Sequence, residues 1–343
     1  MFEKIAILGV GAIGSVIGAH LTKAGLDVTL IDPWGQHIDQ MKSQGLTITH
    51  EDGDSINVSV NAEHLGDVSS LETQFDLVFL AVKSYDTEWA THFILPHMAP
   101  TGIIVSAQNG INDDLIAEII GASRELPCVM TFGAGLYEPG HGLRTGDRSK
   151  TAFIIGESSG VKTPRIEALS EILNNVGICE ISSNIWGHRW AKLAVNCMAN
   201  PMCAASGLGS KALRQDPNLS EISIGIAAEV VNTGISLGVN VEKISGVDSA
   251  LYQNASTDMN VMEEIKTQLA TDAVRLGEGR PSMAQDVMKG RRTEISHLNG
   301  YVSTRGKELG VETPICESIV ELVQKVEKGV VEPGENVFGH IKI

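Results

Sequence analysis

Aromatic residues are scarce. Phe, Trp and Tyr make up 4% of the 343 residues, too few for the stacking platforms that hold bases or sugars. Positive charge is also in short supply, with 26 Lys and Arg against 42 Asp and Glu and a net charge of −16. Such a field repels phosphate backbones and anionic lipid, so neither nucleic acid nor a membrane is the expected partner. A small anionic substrate would need a locally basic pocket. The five cysteines, Cys128, Cys179, Cys197, Cys203 and Cys316, are odd in number and form no C-x-x-C pair. That argues against a disulfide framework and a zinc site, so no metal is expected and a reducing cytoplasm is the natural home. No stretch approaches the roughly 20 apolar residues of a membrane span. Residues 5 to 21 carry no formal charge, but glycines interrupt the run and Glu3 beside Lys4 makes a poor leading region. We therefore set a signal peptide aside.

Apolar residues are 43% of the chain and charged residues 20%, an ordinary globular composition at a length that favours two domains. In the first half, "KIAILGV", "DVTLID", "FDLVFLAV", "GIIVSAQN", "CVMTFGAG" and "TAFIIGE" read as apolar strands. They alternate with helix-sized segments such as "GAIGSVIGAHLTKAG" and "INDDLIAEIIGA". That alternation predicts a doubly wound α/β sheet of the Rossmann type, mostly parallel, with helices on both faces. "LTITH", "EDGDS" and "INVSVNA" suit a hairpin or edge pair. From about residue 184 only helical texture remains. The expected division is residues 1–183 as a dinucleotide-binding α/β domain and residues 184–343 as an all-α domain.

"ILGVGAIG" supplies G-x-G-x-x-G: Gly9, Val10, Gly11, Ala12, Ile13 and Gly14. It follows a strand and opens a helix, the context in which the pattern carries meaning. The glycines allow a tight turn and close backbone approach to a pyrophosphate, which the helix N-terminus then faces. Asp32 ends the second strand, close to the spacing of about 20 residues expected of a ribose-binding acid. A carboxylate there accepts from a 2′-hydroxyl and repels a 2′-phosphate. Pro33 and Trp34 follow, with no Lys or Arg until Lys42, so NAD(H) is favoured over NADP(H). The alternative is that Asp32 merely caps the turn before Pro33.

"KLAVNCMANP" places Lys192, Asn196 and Asn200 at steps of four. On a helix each such step turns the side chain by about 40°, so the three share one stripe amid apolar neighbours. Hydride delivery to a ketone carbon leaves alkoxide character on oxygen. An ammonium beside it can stabilise that charge and donate a proton, and asparagines can bind a carboxylate or hydroxyl. The competing reading is a snorkelling lysine with incidental asparagines. Pro201 disfavours helical geometry at Asn200, which predicts a bend there. In "PSMAQDVMKGRRTEISHLNG", Met283, Val287, Ile295 and Leu298 suit one core-facing helix that also bears Glu294. Its bland reading is a surface carboxylate paired with a nearby arginine. His20, on an apolar helix, is expected to be packed. Glu229, also on an apolar helix, is either a pocket member or structural.

Five blocks together resemble the ketopantoate reductase family: "GVGAIG" at 9–14, "AVKSYDT" at 81–87, "QNG" at 108–110, "KLAVNCMANPMCAASG" at 192–207 and "SMAQDVMKGRRTEISHLNG" at 282–300. Their order and gaps agree along nearly the whole chain. The resemblance implies a Rossmann domain followed by a helical domain, and reduction of a branched 2-keto acid, most simply 2-dehydropantoate to pantoate. It implies Lys192 as general acid, Glu294 as the carboxylate binding the substrate hydroxyl, and Asn109 near the nicotinamide, positioning the lysine. Lys83 matches a cofactor-side lysine; Asn196, Asn200 and Ser282 match substrate-binding positions. A homodimer is compatible with the resemblance. The chain departs from the family where Pro33 replaces an arginine common after the second strand. It departs again at Ser210, where an asparagine is frequent, and in a longer segment at 240–280. Two alternatives stay open: a related enzyme acting on another 2-oxo or 2-hydroxy acid under NAD, and a non-catalytic nucleotide sensor. The intact Lys192, Asn109 and Glu294 argue against the sensor.

Overall fold

The computed structural model describes residues 2–255, 257–276, 279–339 and 341. The chain divides into two compact units, one of Met1–Gln108 with Asn112–Ile185, the other of Asn109–Ile111 with Trp186–Ile343. The short segment 109–111 leaves the α/β unit because Ile111, 6% exposed, packs into the apolar cluster of the helical unit. A division at one point in the sequence does not capture that graft.

In the first unit, β1 (Lys4–Leu8), α1 (Ala12–Lys23), β2 (Asp27–Asp32) and α2 (Gly35–Gln44) come first. Then follow β3 (Leu46–His50), β4 (Ser55–Val58), β5 (Asn61–His64), β6 (Phe75–Leu80) and α3 (Thr87–Ile94). Next are β7 (Met98–Ser106), α4 (Asp113–Ile120), β8 (Glu125–Leu126), β9 (Cys128–Met130), β10 (Gly133–Glu138) and β11 (His141–Thr145). β12 (Phe153–Ile155), α5 (Pro164–Leu173) and β13 (Cys179–Ile181) complete it. The main sheet has the order β5-β2-β1-β6-β7-β8 and is parallel throughout. Its inner strands β1, β2 and β6 are largely apolar runs because both faces are covered. Helix α1 can lie close on the sheet because Gly18 has no side chain: a Cβ there would stand 2.3 Å from Leu30 Cδ2.

Two sequence expectations need correcting. "CVMTFGAG" and "TAFIIGE" do not extend the parallel sheet. Their strands β9 and β12 pair antiparallel, and β13 joins β12 in a separate three-stranded sheet. A short apolar run states that it will be buried, not which strand it will pair with. The hairpin between β3 and β4 forms with Leu46 opposite Val58, but it belongs to a four-stranded sheet, β10-β11-β3-β4. The end of "INVSVNA" leaves it to form β5, the edge strand beside β2.

The helical unit comprises α6 (Ile185–Ser206), α7 (Ser210–Gln215), α8 (Pro217–Ser236), α9 (Ser249–Asn254) and α10 (Met259–Leu276). It continues with α11 (Ser282–Met288), α12 (Asn299–Leu309) and α13 (Pro314–Glu327). Among its described residues no named strand occurs. The longer 240–280 segment forms α9 and α10, whose Tyr252, Met262, Ile265 and Leu269 join the core. Glu229 is settled as structural. Its two carboxylate oxygens accept from the backbone N–H groups of Ile315 (2.8 Å) and Cys316 (2.7 Å), in the first turn of α13. A carboxylate satisfies the free donors of a helix start and complements its dipole. Burial nonetheless pushes the Glu229 pKa up. Among the described residues no helix is long and apolar enough to cross a membrane.

Candidate active site

The glycine turn links β1 to α1, and its three glycines stand in different surroundings. Gly9 has φ +92°, and a Cβ on it would lie 2.8 Å from the backbone of Ala81 and Val82. A Cβ on Gly14 would lie 2.0 Å from the Gly9 carbonyl oxygen. A Cβ on Gly11 would meet nothing within 4 Å. Gly11 is therefore free of packing constraint from the protein itself. It caps α1, with no side chain occupying the helix start. An open space before uncapped helix amides suits a pyrophosphate, whose charge those N–H groups and the helix dipole favour. Ala12 and Ile13 form the first turn of that helix and are half-buried.

The turn is pinned from two sides. Asp32 Oδ2 accepts the Val10 N–H at 2.7 Å and Oδ1 accepts the Trp34 N–H at 2.8 Å. The capping role of Asp32 is thus real. Each oxygen still keeps a lone pair for a ribose hydroxyl, so the two readings are compatible. His37 fastens the other side. Gly140 N–H donates to its Nδ1 at 2.8 Å, and its Nε2 lies 2.9 Å from the Val10 carbonyl. An acceptor Nδ1 places the ring proton on Nε2, which donates to Val10. Burial lowers the His37 pKa, against the opposing influence of Asp32, and keeps the ring neutral. Sequence reasoning missed His37 because its importance comes from a tertiary contact more than a hundred residues away in the chain.

Lys83 follows β6 and is half-buried. Its segment is held by Gln108, whose Nε2 donates to the Val82 carbonyl (3.0 Å) and to Thr87 Oγ1 (2.8 Å). Gly9 to Gly14, Asp32 and Lys83 thus all belong to the α/β unit.

Lys192, Asn196 and Asn200 lie on α6, which runs unbroken through Pro201 to Ser206. Asn196 and Asn200 are buried while Lys192 is half-buried. Burial lowers the Lys192 pKa. Leu193, Ala194, Cys197 and Met198 fill the core on either side of the stripe. Asn196 Nδ2 donates to Asn109 Oδ1 at 3.2 Å, so the helical unit itself brings these two residues together.

Glu294 is 4% exposed, which removes the reading of it as a surface carboxylate. It does not sit on one long helix. α11 ends at Met288, Gly290 takes φ +61°, and Glu294 precedes a short 3₁₀ turn at Ile295–His297. The left-handed glycine interrupts a helical periodicity that otherwise continues. Ser282 is the first residue of α11 and is half-buried.

A glycine turn at the carboxyl end of a parallel sheet, together with a half-buried lysine and two buried asparagines on one helix of a helical unit, defines an oxidoreductase of the dinucleotide-fold class. Comparison with known proteins narrows the class. Residues 5–160 match the family model "Ketopantoate reductase PanE/ApbA", and residues 184–327 match "Ketopantoate reductase PanE/ApbA C terminal". The chain belongs to the ketopantoate reductase family. It is 32% identical to a 2-dehydropantoate 2-reductase of Pyrococcus horikoshii over 94% of this chain and 97% of the relative. Its fold matches a PanE/ApbA family ketopantoate reductase from Ralstonia eutropha JMP134, with TM-score 0.78, 27% identity and coverage of 95% and 99% of the two chains. A D-mandelate dehydrogenase solved with NADH and anilino(oxo)acetate matches with TM-score 0.81 at 25% identity, covering 95% and 99%.

Proposed function

We propose that the protein reduces a 2-keto acid to the 2-hydroxy acid with NADH, and that 2-dehydropantoate is the first substrate to test. The observation carrying this reading is the hydrogen bond from Asn196, one helical turn beyond the half-buried Lys192 on α6, to Asn109 Oδ1 at 3.2 Å. Gly9, Val10, Gly11, Ala12, Ile13 and Gly14 hold the pyrophosphate, Asp32 the adenosine ribose, and Lys83 and Asn109 the nicotinamide side. When bound, the dinucleotide supplies a hydride to the ketone carbon. Lys192 stabilises the negative charge that develops on the carbonyl oxygen and donates the proton that completes the hydroxyl. Glu294 accepts a hydrogen bond from that hydroxyl, while Asn196, Asn200 and Ser282 orient the rest of the keto acid. Residues 1–183 form the dinucleotide part and residues 184–343, with 109–111 added, the substrate part. The odd cysteine count without a C-x-x-C pair fits a cytoplasmic enzyme.

A second reading is a related dehydrogenase for another 2-hydroxy acid. The similarity to the D-mandelate dehydrogenase favours it. A panel of 2-keto acids assayed with NADH and NADPH by nicotinamide absorbance separates the two. Turnover of 2-dehydropantoate supports the first. Clear turnover of an aryl or alkyl 2-keto acid, with none of 2-dehydropantoate, selects the second. Loss of turnover in Lys192→Ala by about 10²–10⁴-fold, with NADH binding retained, is expected under both.

A further inference from the structure

In an α-helix each carbonyl accepts the N–H four residues on. Pro201 stands inside α6 and has no N–H, so the Cys197 carbonyl loses its helical donor. Another donor has taken its place. The side chain of Asn299, 0% exposed, donates from Nδ2 to the Cys197 oxygen at 3.2 Å. The same Nδ2 lies 3.8 Å from Cys316 Sγ, at the start of α13 that Glu229 secures.

Asn299 opens α12, and the residues before it form the turn that carries Glu294. His297 and Leu298 donate backbone N–H groups to the Glu294 carbonyl at 2.9 and 3.0 Å, and Ile295 N–H donates to Thr293 Oγ1 at 3.2 Å. The path from Glu294 to Asn299 is therefore a closed, hydrogen-bonded turn. At the other end of the bond, Cys197 adjoins Asn196, one helical turn from Lys192. One side-chain hydrogen bond joins the turn bearing Glu294 to the turn of α6 bearing the lysine and asparagine stripe.

We propose that Asn299 is a positioning residue, using the carbonyl freed by Pro201 to hold Glu294 in register with Lys192 and Asn196. The roles of those three rest on the function proposed above. Proline creates the acceptor and asparagine occupies it, so the two residues act as a pair. A backbone donor at 201 would satisfy the carbonyl equally well but would leave α6 unconnected to the Glu294 turn.

That distinction supplies the test. Asn299→Leu removes the donor and keeps the branching of the side chain. In Asn299→Leu with Pro201→Ala, the N–H of residue 201 can return to the Cys197 carbonyl while the link to the Glu294 turn stays broken. Asn299→Leu is expected to lower both Tm and kcat, with kcat down about 10- to 100-fold, because misplacement of order 1 Å at a reacting centre costs up to about 10²-fold. The double variant is expected to recover Tm but not kcat, with NADH affinity unchanged. Amide exchange at Ile295–Leu298 should be faster than wild type in both variants. Recovery of kcat together with Tm would mean that Asn299 serves only helix stability and would overturn the proposal. If wild-type protein reduces no 2-keto acid, the functional reading fails by itself. The exchange measurement then decides the tether, and unchanged protection at 295–298 in the double variant sinks it.

Discussion

Asn196 Nδ2 reaches Asn109 Oδ1 at 3.2 Å, joining α6 to a loop segment 87 residues earlier in the chain. A side-chain amide so held loses rotamer freedom before any substrate arrives, the condition for orienting a ligand cheaply. The two asparagines should then act as one unit. Asn109→Ala and Asn196→Ala are each expected to reduce kcat/KM, and the double variant to cost less than their product, by a coupling of about 0.5–3 kcal/mol. Strict additivity in this double-mutant cycle would show that the hydrogen bond has no part in transition-state binding.

Lys192 gives a pH prediction with a definite sign. Burial lowers its pKa below the usual 10.5. On the proposed mechanism the proton donor is the ammonium form, so kcat for reduction should fall as pH rises through that lowered value. The alkaline limb should lie below pH 10.5 and vanish in Lys192→Arg along with most of the turnover. A limb unchanged by that substitution assigns the titration to another group.

Asp32 makes two contributions that one variant can separate. On the proposed cofactor reading, Asp32→Ser removes the charge that would repel a 2′-phosphate, so the ratio of NADPH to NADH efficiency should rise by about tenfold or more. It also takes the carboxylate acceptor from Val10 and Trp34 N–H, and Tm should fall, since each charge-assisted bond contributes about 1.5–3 kcal/mol. Wild-type protein that turns over NADPH far better than NADH would refute the cofactor preference.

His20 predicts acid sensitivity in the α/β unit. Burial lowers its pKa to about 4, opposed by its bond to the Val16 carbonyl and reinforced by His50, Arg144 and Lys23. The unfolded chain takes up the proton near pH 6.5 and the folded chain only near pH 4. Stability is therefore lost as pH falls through that window, by up to about 3 kcal/mol. Tm measured from pH 7 to 4 should drop less in His20→Gln than in wild type. Parallel curves would place the acid sensitivity elsewhere.

What the sequence disclosed follows from which constraints are local. The glycine turn was legible because its spacing and its place between a strand and a helix are local, and Gly14 answers to the Gly9 carbonyl five residues before it; what crowds Gly9, the backbone of Ala81 and Val82, lies far along the chain. The α6 stripe was legible because helical geometry alone aligns Lys192, Asn196 and Asn200. Partnership between distant strands was not, and β9 and β12 look like further parallel strands until their antiparallel register is seen. Periodicity also carried the eye past Gly290, whose left-handed backbone ends α11 and sets Glu294 on a turn. His37 left no mark in the sequence, since its two partners are backbone groups, at Val10 and Gly140, and no side chain of theirs announces the contact.

Ile111 belongs by packing to a body whose other residues begin 75 positions later. Cutting the gene at residue 185 would thus not yield two intact modules. The C-terminal fragment would lack both a plug for its apolar interior and the acceptor that Asn196 grips. Fragment complementation would require the donor piece to carry the 109–111 loop, and a circular permutant opened there should suffer more than one opened in the β3–β4 hairpin.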